Sequence, residues 1–142
     1  TISSSNISFK YRSTNLPKDL IYLSGTFKGN LSDKAKIKSK IDELKSKKEL
    51  SQPLRVKTSG STFKNPLEQS DKKVWELIKE SVDIKAANKM FGDAKLSEKH
   101  CNFLINQDKA TSKDMKNLIN FIKENVYNKT GVNLELEIIL TS

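Results

Sequence analysis

A loop over Thr58–Pro66 (TSGSTFKNP) concentrates hydroxyl groups, one lysine and one asparagine around a single glycine. Such a loop can present backbone N–H groups and hydroxyls to an anion or to a reacting carbonyl group. It lacks the G-x-x-x-x-G-K-[ST] spacing of a phosphate-binding loop and the G-x-S-x-G spacing of a nucleophile elbow. By its residues alone, the loop is either a binding site of this kind or an ordinary polar turn.

Three further residues carry groups that could act chemically. Glu137 lies beside Glu135 on the polar side of an alternating segment, where a carboxylate could serve an active site or simply face solvent. His100 and Cys101 are neighbours, and in an extended strand they would point to opposite faces, so they would not form a nucleophile–base pair. A single cysteine also excludes an internal disulfide and a multi-thiolate metal site.

The elements that would position these groups follow from the spacing of apolar residues. The predicted helices cover about 32–48, a segment that begins near Ser70, and a segment from Thr111 to about 128 that a capping box with Asp114 opens. The predicted strands are 19–27, 54–57, one or two within 94–106, and 132–140. Long helices between strands in this irregular order indicate an α+β domain, with a mainly antiparallel sheet and about three packed helices.

The charge of the chain raises the question of a nucleic-acid partner. Lysine and arginine number 26 against 17 acidic residues, a net charge of +9 over 142 residues. Only two of these cations are arginine, which disfavours base readout. The lysines crowd 28–48, where apolar residues at helical spacing (Ile37, Ile41, Leu44) leave them on solvated faces. We therefore expect a lysine-rich surface and no nucleic acid; the alternative is a non-catalytic polyanion- or nucleic-acid-binding module.

Location follows from what the sequence lacks. No apolar run approaches the roughly eighteen residues of a membrane helix, so no membrane association is expected. The opening stretch has no signal-peptide apolar region, and the lone cysteine needs no oxidising compartment, so the expected location is the cytoplasm. The first residue is Thr1 rather than Met, and we expect a piece of a longer protein.

Several segments resemble the C-terminal domain of the MurB family, the flavin-dependent UDP-N-acetylenolpyruvoylglucosamine reductases of peptidoglycan synthesis. They are SGSTFKNP (59–66), GDAKLSEKHCNFLIN (92–106), ATSKDMKNLI (110–119) and GVNLELEI (131–138). Upstream, FKYRST (9–14) is similar to the family's junction with its flavin domain. The resemblance implies that 1–18 is a junction segment from an FAD-binding domain and that 19–142 is a MurB-like C-terminal substrate-binding domain.

The resemblance also implies a reaction and its participants. The full-length enzyme would use FAD and NADPH to reduce UDP-N-acetylglucosamine enolpyruvate to UDP-N-acetylmuramate. Ser61, in the position of the motif serine, would give a proton to the carbanion, and Glu137 would help an arginine of the flavin part to stabilise charge on the pyruvyl carboxylate. The implied substrate ligands are Asn65, Tyr11, Arg12 and Lys64, the last of which could instead be a solvated lysine.

Two departures from the full enzyme are expected. Ile139 stands where the family usually has Arg, which removes a possible charge partner for the glutamates. The chain carries no dinucleotide-binding fingerprint, so we expect the isolated chain to fold without catalysing the reaction. A stand-alone sugar-nucleotide binder is a further alternative.

Overall fold

The computed structural model describes residues 1–141, which divide after Lys34 into two compact units. The first unit, Thr1–Lys34, holds a 3-10 turn at Ser4–Asn6 and a short antiparallel pair. That pair joins β1 (Phe9–Lys10) to β2 (Ser13–Thr14). Nearly all side chains of this unit are exposed, so it has no apolar core of its own among the described residues.

The predicted strand over 19–27 is wrong. Residues 20–33 contain neither helix nor strand, and Leu23 and Phe27 are 93% and 94% exposed. A strand is stable only when a neighbouring strand pairs with it and covers one face, and no such neighbour occurs for this segment within the described residues. Its apolar, β-favouring composition is therefore not sufficient to form a strand.

Four helices and a second strand pair follow β2 along the described chain. They are α1 (Lys34–Ser51), α2 (Val74–Ser81), α3 (Ile84–Ala87), β3 (Ala94–Leu96), β4 (Leu104–Asn106) and α4 (Ser112–Thr130). β3 and β4 are antiparallel, with Lys95 opposite Ile105. The three predicted helices and the predicted hairpin within 94–106 are confirmed, as is the α+β class; the short helix α3 is not anticipated by the spacing of apolar residues.

Helix α4 begins at the predicted capping box. The Thr111 hydroxyl accepts the Asp114 N–H at 3.1 Å, and an Asp114 carboxylate oxygen accepts the Thr111 N–H at 2.9 Å. The Thr111 hydroxyl also donates to that carboxylate at 2.7 Å, and these bonds lower the pKa of Asp114. The helix ends at Gly131, whose φ of 73° is a left-handed conformation that glycine adopts without strain.

The core lies where α4 packs against α2 and against β3. Its fully buried side chains include Leu77, Ile78, Leu96, Leu118 and Ile122. The residues of α4 recur at helical spacing along one face, as predicted. This packed body supplies the rigid support for the loops that carry the candidate site.

Two other predicted strands form only isolated bridges. Of 54–57, only Lys57 pairs, through its carbonyl, with the N–H of Asn106 at 2.9 Å. Of 132–140, Leu136 bridges Phe63, although the predicted alternation of buried and exposed side chains persists as far as Leu134 and Glu135. These segments pair across one or two residues and do not form regular strands.

Helix α1 carries its predicted lysines on the surface, and none of its residues is buried. Glu43 accepts from Lys40 at 2.8 Å and from Lys47 at 2.5 Å, and both bonds lower its pKa. The apolar residues Ile37 and Ile41 remain 46% and 45% exposed, so this helix contributes nothing to the core. Within residues 1–141, no helix has the combined length and hydropathy that crossing a membrane requires.

Candidate functional site

The loop over Thr58–Pro66, called the serine loop below, is held between two other segments of the second unit. On one side, the Thr62 N–H donates to the Asn102 carbonyl at 2.8 Å. On the other side, the Glu137 N–H donates to the Thr62 carbonyl at 2.9 Å. The structure therefore brings the two predicted catalytic residues onto adjoining segments, since Ser61 directly precedes the residue that pairs with Glu137.

Ser61 lies where the serine loop passes from the protein surface into the buried core. It is partly exposed and bridges Phe103, while the next two residues, Thr62 and Phe63, are 0% and 1% exposed. Before it, Gly60 has a φ of 89°, a conformation that favours glycine, and its missing side chain would meet no atom within 4 Å. The hydroxyl is thus on a loop that is open on one side and firmly anchored on the other.

Lys64 forms an ion pair beside Glu137. Its ammonium nitrogen lies 3.3 Å from a carboxylate oxygen of Glu135, with side-chain exposures of 38% and 72%. The Lys64 N–H also donates to the Glu135 carbonyl at 2.9 Å. An ion pair this exposed adds about 0–1 kcal/mol, so it would not hold the lysine strongly against an incoming anion. The predicted phosphate contact of Lys64 stays a prediction.

Asn65 has a structural partner that its sequence context does not reveal. Its side-chain oxygen accepts the N–H of Val74, the first residue of α2, at 3.1 Å. The first N–H groups of a helix have no partner within the helix, so this bond satisfies one of them. The side-chain oxygen is therefore already engaged, and the predicted role of Asn65 as a substrate ligand is not tested by the geometry.

Tyr11 and Arg12 lie in the first unit, at the turn between β1 and β2. The Arg12 guanidinium carbon is 5.3 Å from the centre of the Tyr11 ring, within the range of a cation–π interaction. Arg12 adopts a φ of 55°, which is uncommon for a residue other than glycine. Because both residues belong to the first unit, their predicted place at the substrate site stays a prediction.

His100 and Cys101 lie in the turn that joins β3 to β4, so the premise that they share an extended strand is wrong. The Cys101 thiol is buried and donates to the Trp75 carbonyl at 3.1 Å; burial raises its pKa. The His100 ring packs edge-on against Phe103, with centroids 4.9 Å apart, and burial lowers its pKa. Both residues therefore pack within the second unit as neutral groups near pH 7.

Asn102 is a polar residue of the site that the sequence reasoning missed. It is 4% exposed, and its side-chain amide forms two hydrogen bonds with the backbone of Phe63. An asparagine just before an apolar strand is an ordinary turn residue by sequence, and nothing local links it to a loop 39 positions away.

Comparison with known proteins bears on the same segments. A family model described as "UDP-N-acetylenolpyruvoylglucosamine reductase, C-terminal domain" matches residues 52–141. The chain belongs to this family. The matched range includes both the serine loop and Glu137, and the family resemblance of the sequence is confirmed.

Curated relatives extend the similarity to the first unit. A UDP-N-acetylenolpyruvoylglucosamine reductase of Pelagibacter ubique (strain HTCC1062) is 53% identical over 138 residues, which are 97% of this chain and 45% of that protein. Proteins of the same name from Rickettsia typhi and Rickettsia massiliae are each 42% identical over 138 residues, with the same coverage of 97% and 45%. The chain therefore spans about 45% of the length of the curated relatives it matches.

Proposed function

We propose that this chain is the substrate-binding C-terminal part of a reductase that converts UDP-N-acetylglucosamine enolpyruvate to UDP-N-acetylmuramate in the cytoplasm, during peptidoglycan synthesis. The observation that carries the proposal is the family match over 52–141, which includes the paired segments of Ser61 and Glu137. The relatives that cover 97% of the chain bear the name of this reductase, which supports the same assignment.

The proposed reaction adds one hydride and one proton across the enolpyruvyl double bond. The terminal carbon takes the hydride, and the electron pair of the double bond moves to the carbon that bears the carboxylate. Ser61 then donates its hydroxyl proton to that carbon. A serine hydroxyl is a weak acid, so the transfer requires a strongly basic carbanion and direct contact within about 3 Å. A partly exposed serine with open space at Gly60 leaves the room that such contact needs.

Glu137 acts on the charge that develops at the pyruvyl carboxylate. Charge stabilisation needs groups held in place before the reaction, because then no reorganisation is required at the transition state. The backbone bond of Glu137 to Thr62 supports this role, since it fixes the glutamate relative to the serine loop. We assign Asn65, Lys64, Tyr11 and Arg12 to substrate binding, with Lys64 directed at a phosphate.

FAD and NADPH are the proposed cofactors, and reduced FAD supplies the hydride when bound. No residue of this chain is assigned to either cofactor, because the sequence has no dinucleotide-binding fingerprint. We place the flavin contacts in the part of the reductase that the curated relatives contain beyond their aligned 45%. Residues 1–18 are then the junction from that part, and 19–142 the substrate-binding domain.

The lysines of α1 are proposed to be a solvated surface and not a nucleic-acid site. The helix carries no aromatic residue on which a base could stack, and two of its lysines pair with Glu43. Binding to random-sequence DNA, measured at several salt concentrations, tests this point. A steep salt dependence with retained affinity at physiological salt would support the polyanion-binding alternative instead.

The reaction is tested by following NADPH oxidation in the full-length protein that carries this chain. With FAD bound, we expect NADPH oxidation beyond the one equivalent that reduces the flavin only when UDP-N-acetylglucosamine enolpyruvate is present. The product should be two mass units heavier than the substrate because one hydride and one proton are added. The isolated chain of 142 residues is the control and is expected to give no turnover with FAD, NADPH and substrate. Anaerobic oxidation of more than one equivalent of NADPH per FAD without substrate, or an unchanged substrate mass, in the full-length protein would overturn the proposal.

A further inference from the structure

Asn102 binds the backbone of the serine loop with its side chain and its own main chain. Its side-chain oxygen accepts the Phe63 N–H at 3.0 Å, and its side-chain nitrogen donates to the Phe63 carbonyl at 2.9 Å. Its main-chain carbonyl accepts the Thr62 N–H at 2.8 Å. Three hydrogen bonds from one residue therefore fix the two residues that directly follow Ser61.

These bonds lie where water cannot replace them. Thr62, Phe63 and Asn102 are 0%, 1% and 4% exposed. With the bond from the Glu137 N–H to the Thr62 carbonyl, every backbone N–H and carbonyl of Thr62 and Phe63 has a partner. A buried backbone group that loses its partner costs about 1–3 kcal/mol, so this segment has a strong preference for one position.

Before Ser61 the backbone contacts are more widely spaced: the Lys57 carbonyl accepts the Asn106 N–H at 2.9 Å, and Ser61 itself bridges Phe103. Gly60 adopts a φ of 89° beside open space, and its N–H donates to the Thr58 hydroxyl at 3.3 Å. The consecutive buried hydrogen bonds of Thr62 and Phe63 therefore contribute strongly to the position of the Ser61 backbone. Asn102 and the backbone of Glu137 hold that segment from its two sides.

We propose that Asn102 is a positioning residue that holds Ser61 at the distance and angle needed for proton donation. The proposal rests on the proposed function, in which Ser61 is the proton donor. Asn102 acts through the backbone of Thr62 and Phe63 and does not touch the substrate. Proton transfer is sensitive to such placement, because a displacement of about 1 Å can lower a rate by about 10²-fold.

The test compares Asn102→Ala with Asn88→Ala in the full-length reductase. Asn88 is a matched control because its amide binds the Leu96 backbone in the same two-bond manner, at 3.0 Å and 2.6 Å, on β3. We expect Asn102→Ala to lower kcat for enolpyruvyl reduction by about 10²-fold. KM should change by less than about threefold, and reduction of the flavin by NADPH should keep its rate. Asn88→Ala should lower the melting temperature similarly while keeping kcat within about threefold of wild type.

The pH dependence of kcat in Asn102→Asp provides a second test, which can be made even if Asn102→Ala fails to fold. The introduced carboxylate still accepts the Phe63 N–H, but it can donate to the Phe63 carbonyl only when it is protonated. The kcat of Asn102→Asp relative to wild type at the same pH should therefore rise as the pH is lowered. For Asn88→Asp the same ratio should be flat.

Three results would overturn the positioning role: a wild-type kcat in Asn102→Ala, an equal loss of kcat in Asn88→Ala, or a flat ratio against pH in Asn102→Asp. The proposed function is checked separately with Ser61→Ala. If that variant keeps enolpyruvyl reduction, the proton donor is misassigned. If it loses enolpyruvyl reduction while Asn102→Ala does not, only the positioning role fails.

Discussion

Two substitutions of Asn65 can distinguish a structural role of this residue from a role in substrate binding. Its side-chain oxygen accepts the N–H of Val74 at 3.1 Å, at the start of α2. Asn65→Ala removes this acceptor, whereas Asn65→Asp keeps an oxygen in the same place and exchanges the amide nitrogen for a charged oxygen. The two variants therefore differ in what they do to the helix and in what they do to a bound anion.

The expected changes in stability follow from the position of the Asn65–Val74 hydrogen bond at the N-terminus of α2. Loss of a side-chain acceptor at a helix N-terminus costs about 1 kcal/mol, within a range of about 0.5–2 kcal/mol. For a unit of roughly 100 residues, 1 kcal/mol lowers the melting temperature by about 4 °C. In Asn65→Asp, a negative charge beside the helix N-terminus is favourable by about 0.3–1 kcal/mol, so the melting temperature should not fall.

Thermal unfolding of the isolated chain measures the first effect, with Asn120→Ala as a control at an exposed position of α4. We expect Asn65→Ala to melt about 4 °C below wild type. The control should shift stability by less than about 0.5 kcal/mol. An unchanged melting temperature in Asn65→Ala, or a lower one in Asn65→Asp, would refute the capping role. In the full-length reductase, a raised KM in Asn65→Asp without loss of stability would support a contact of the amide nitrogen with the substrate.

Further predictions concern the start of α4, the core and the exposed helix α1. Thr111→Ala should destabilise the chain by about 1 kcal/mol at pH 7 in urea unfolding. The pKa of Asp114 is lower in the folded state, so the ionised carboxylate stabilises the fold above the ordinary value of 3.8, and this stabilisation is lost as the pH falls through the folded pKa. The difference in free energy of unfolding between wild type and Thr111→Ala should therefore become smaller below pH 3.8. Ile122→Ala should cost about 2–5 kcal/mol because the side chain is fully buried. Ile41→Glu, at an exposed position of α1, should change the stability of the isolated chain by less than about 0.5 kcal/mol, and a larger loss would mean that α1 is packed against the core.

Elements with strong local signals are predictable from this sequence. The α4 helix has a capping box at Thr111, an apolar face at helical spacing and a glycine stop at Gly131, and each of these acts within a few residues. The hairpin within 94–106 is likewise a local pairing across a short turn. In both cases the information that determines the structure lies within the segment itself.

Elements that depend on distant partners are not predictable in the same way. The segment 19–27 has the composition of a strand, but its state depends on whether another strand lies beside it. Asn65 and Asn102 look like turn residues, yet Asn65 binds the start of α2 and Asn102 binds a loop 39 positions away. Ser61 and Glu137 are predicted as site residues by family resemblance. That their segments lie next to each other is visible only in the folded chain.

The most direct test of the proposed proton donor measures the two half-reactions of Ser61→Ala separately in the full-length reductase. Rapid-mixing absorbance follows reduction of the flavin by NADPH and then its reoxidation by UDP-N-acetylglucosamine enolpyruvate. Ser59→Ala, in the same loop at an exposed position, is the control. We expect Ser61→Ala to keep the first rate and to slow the second by about 10²–10⁴-fold, with Ser59→Ala close to wild type in both. A normal second rate in Ser61→Ala, or an equal loss of both rates, would contradict the role of Ser61 as the proton donor.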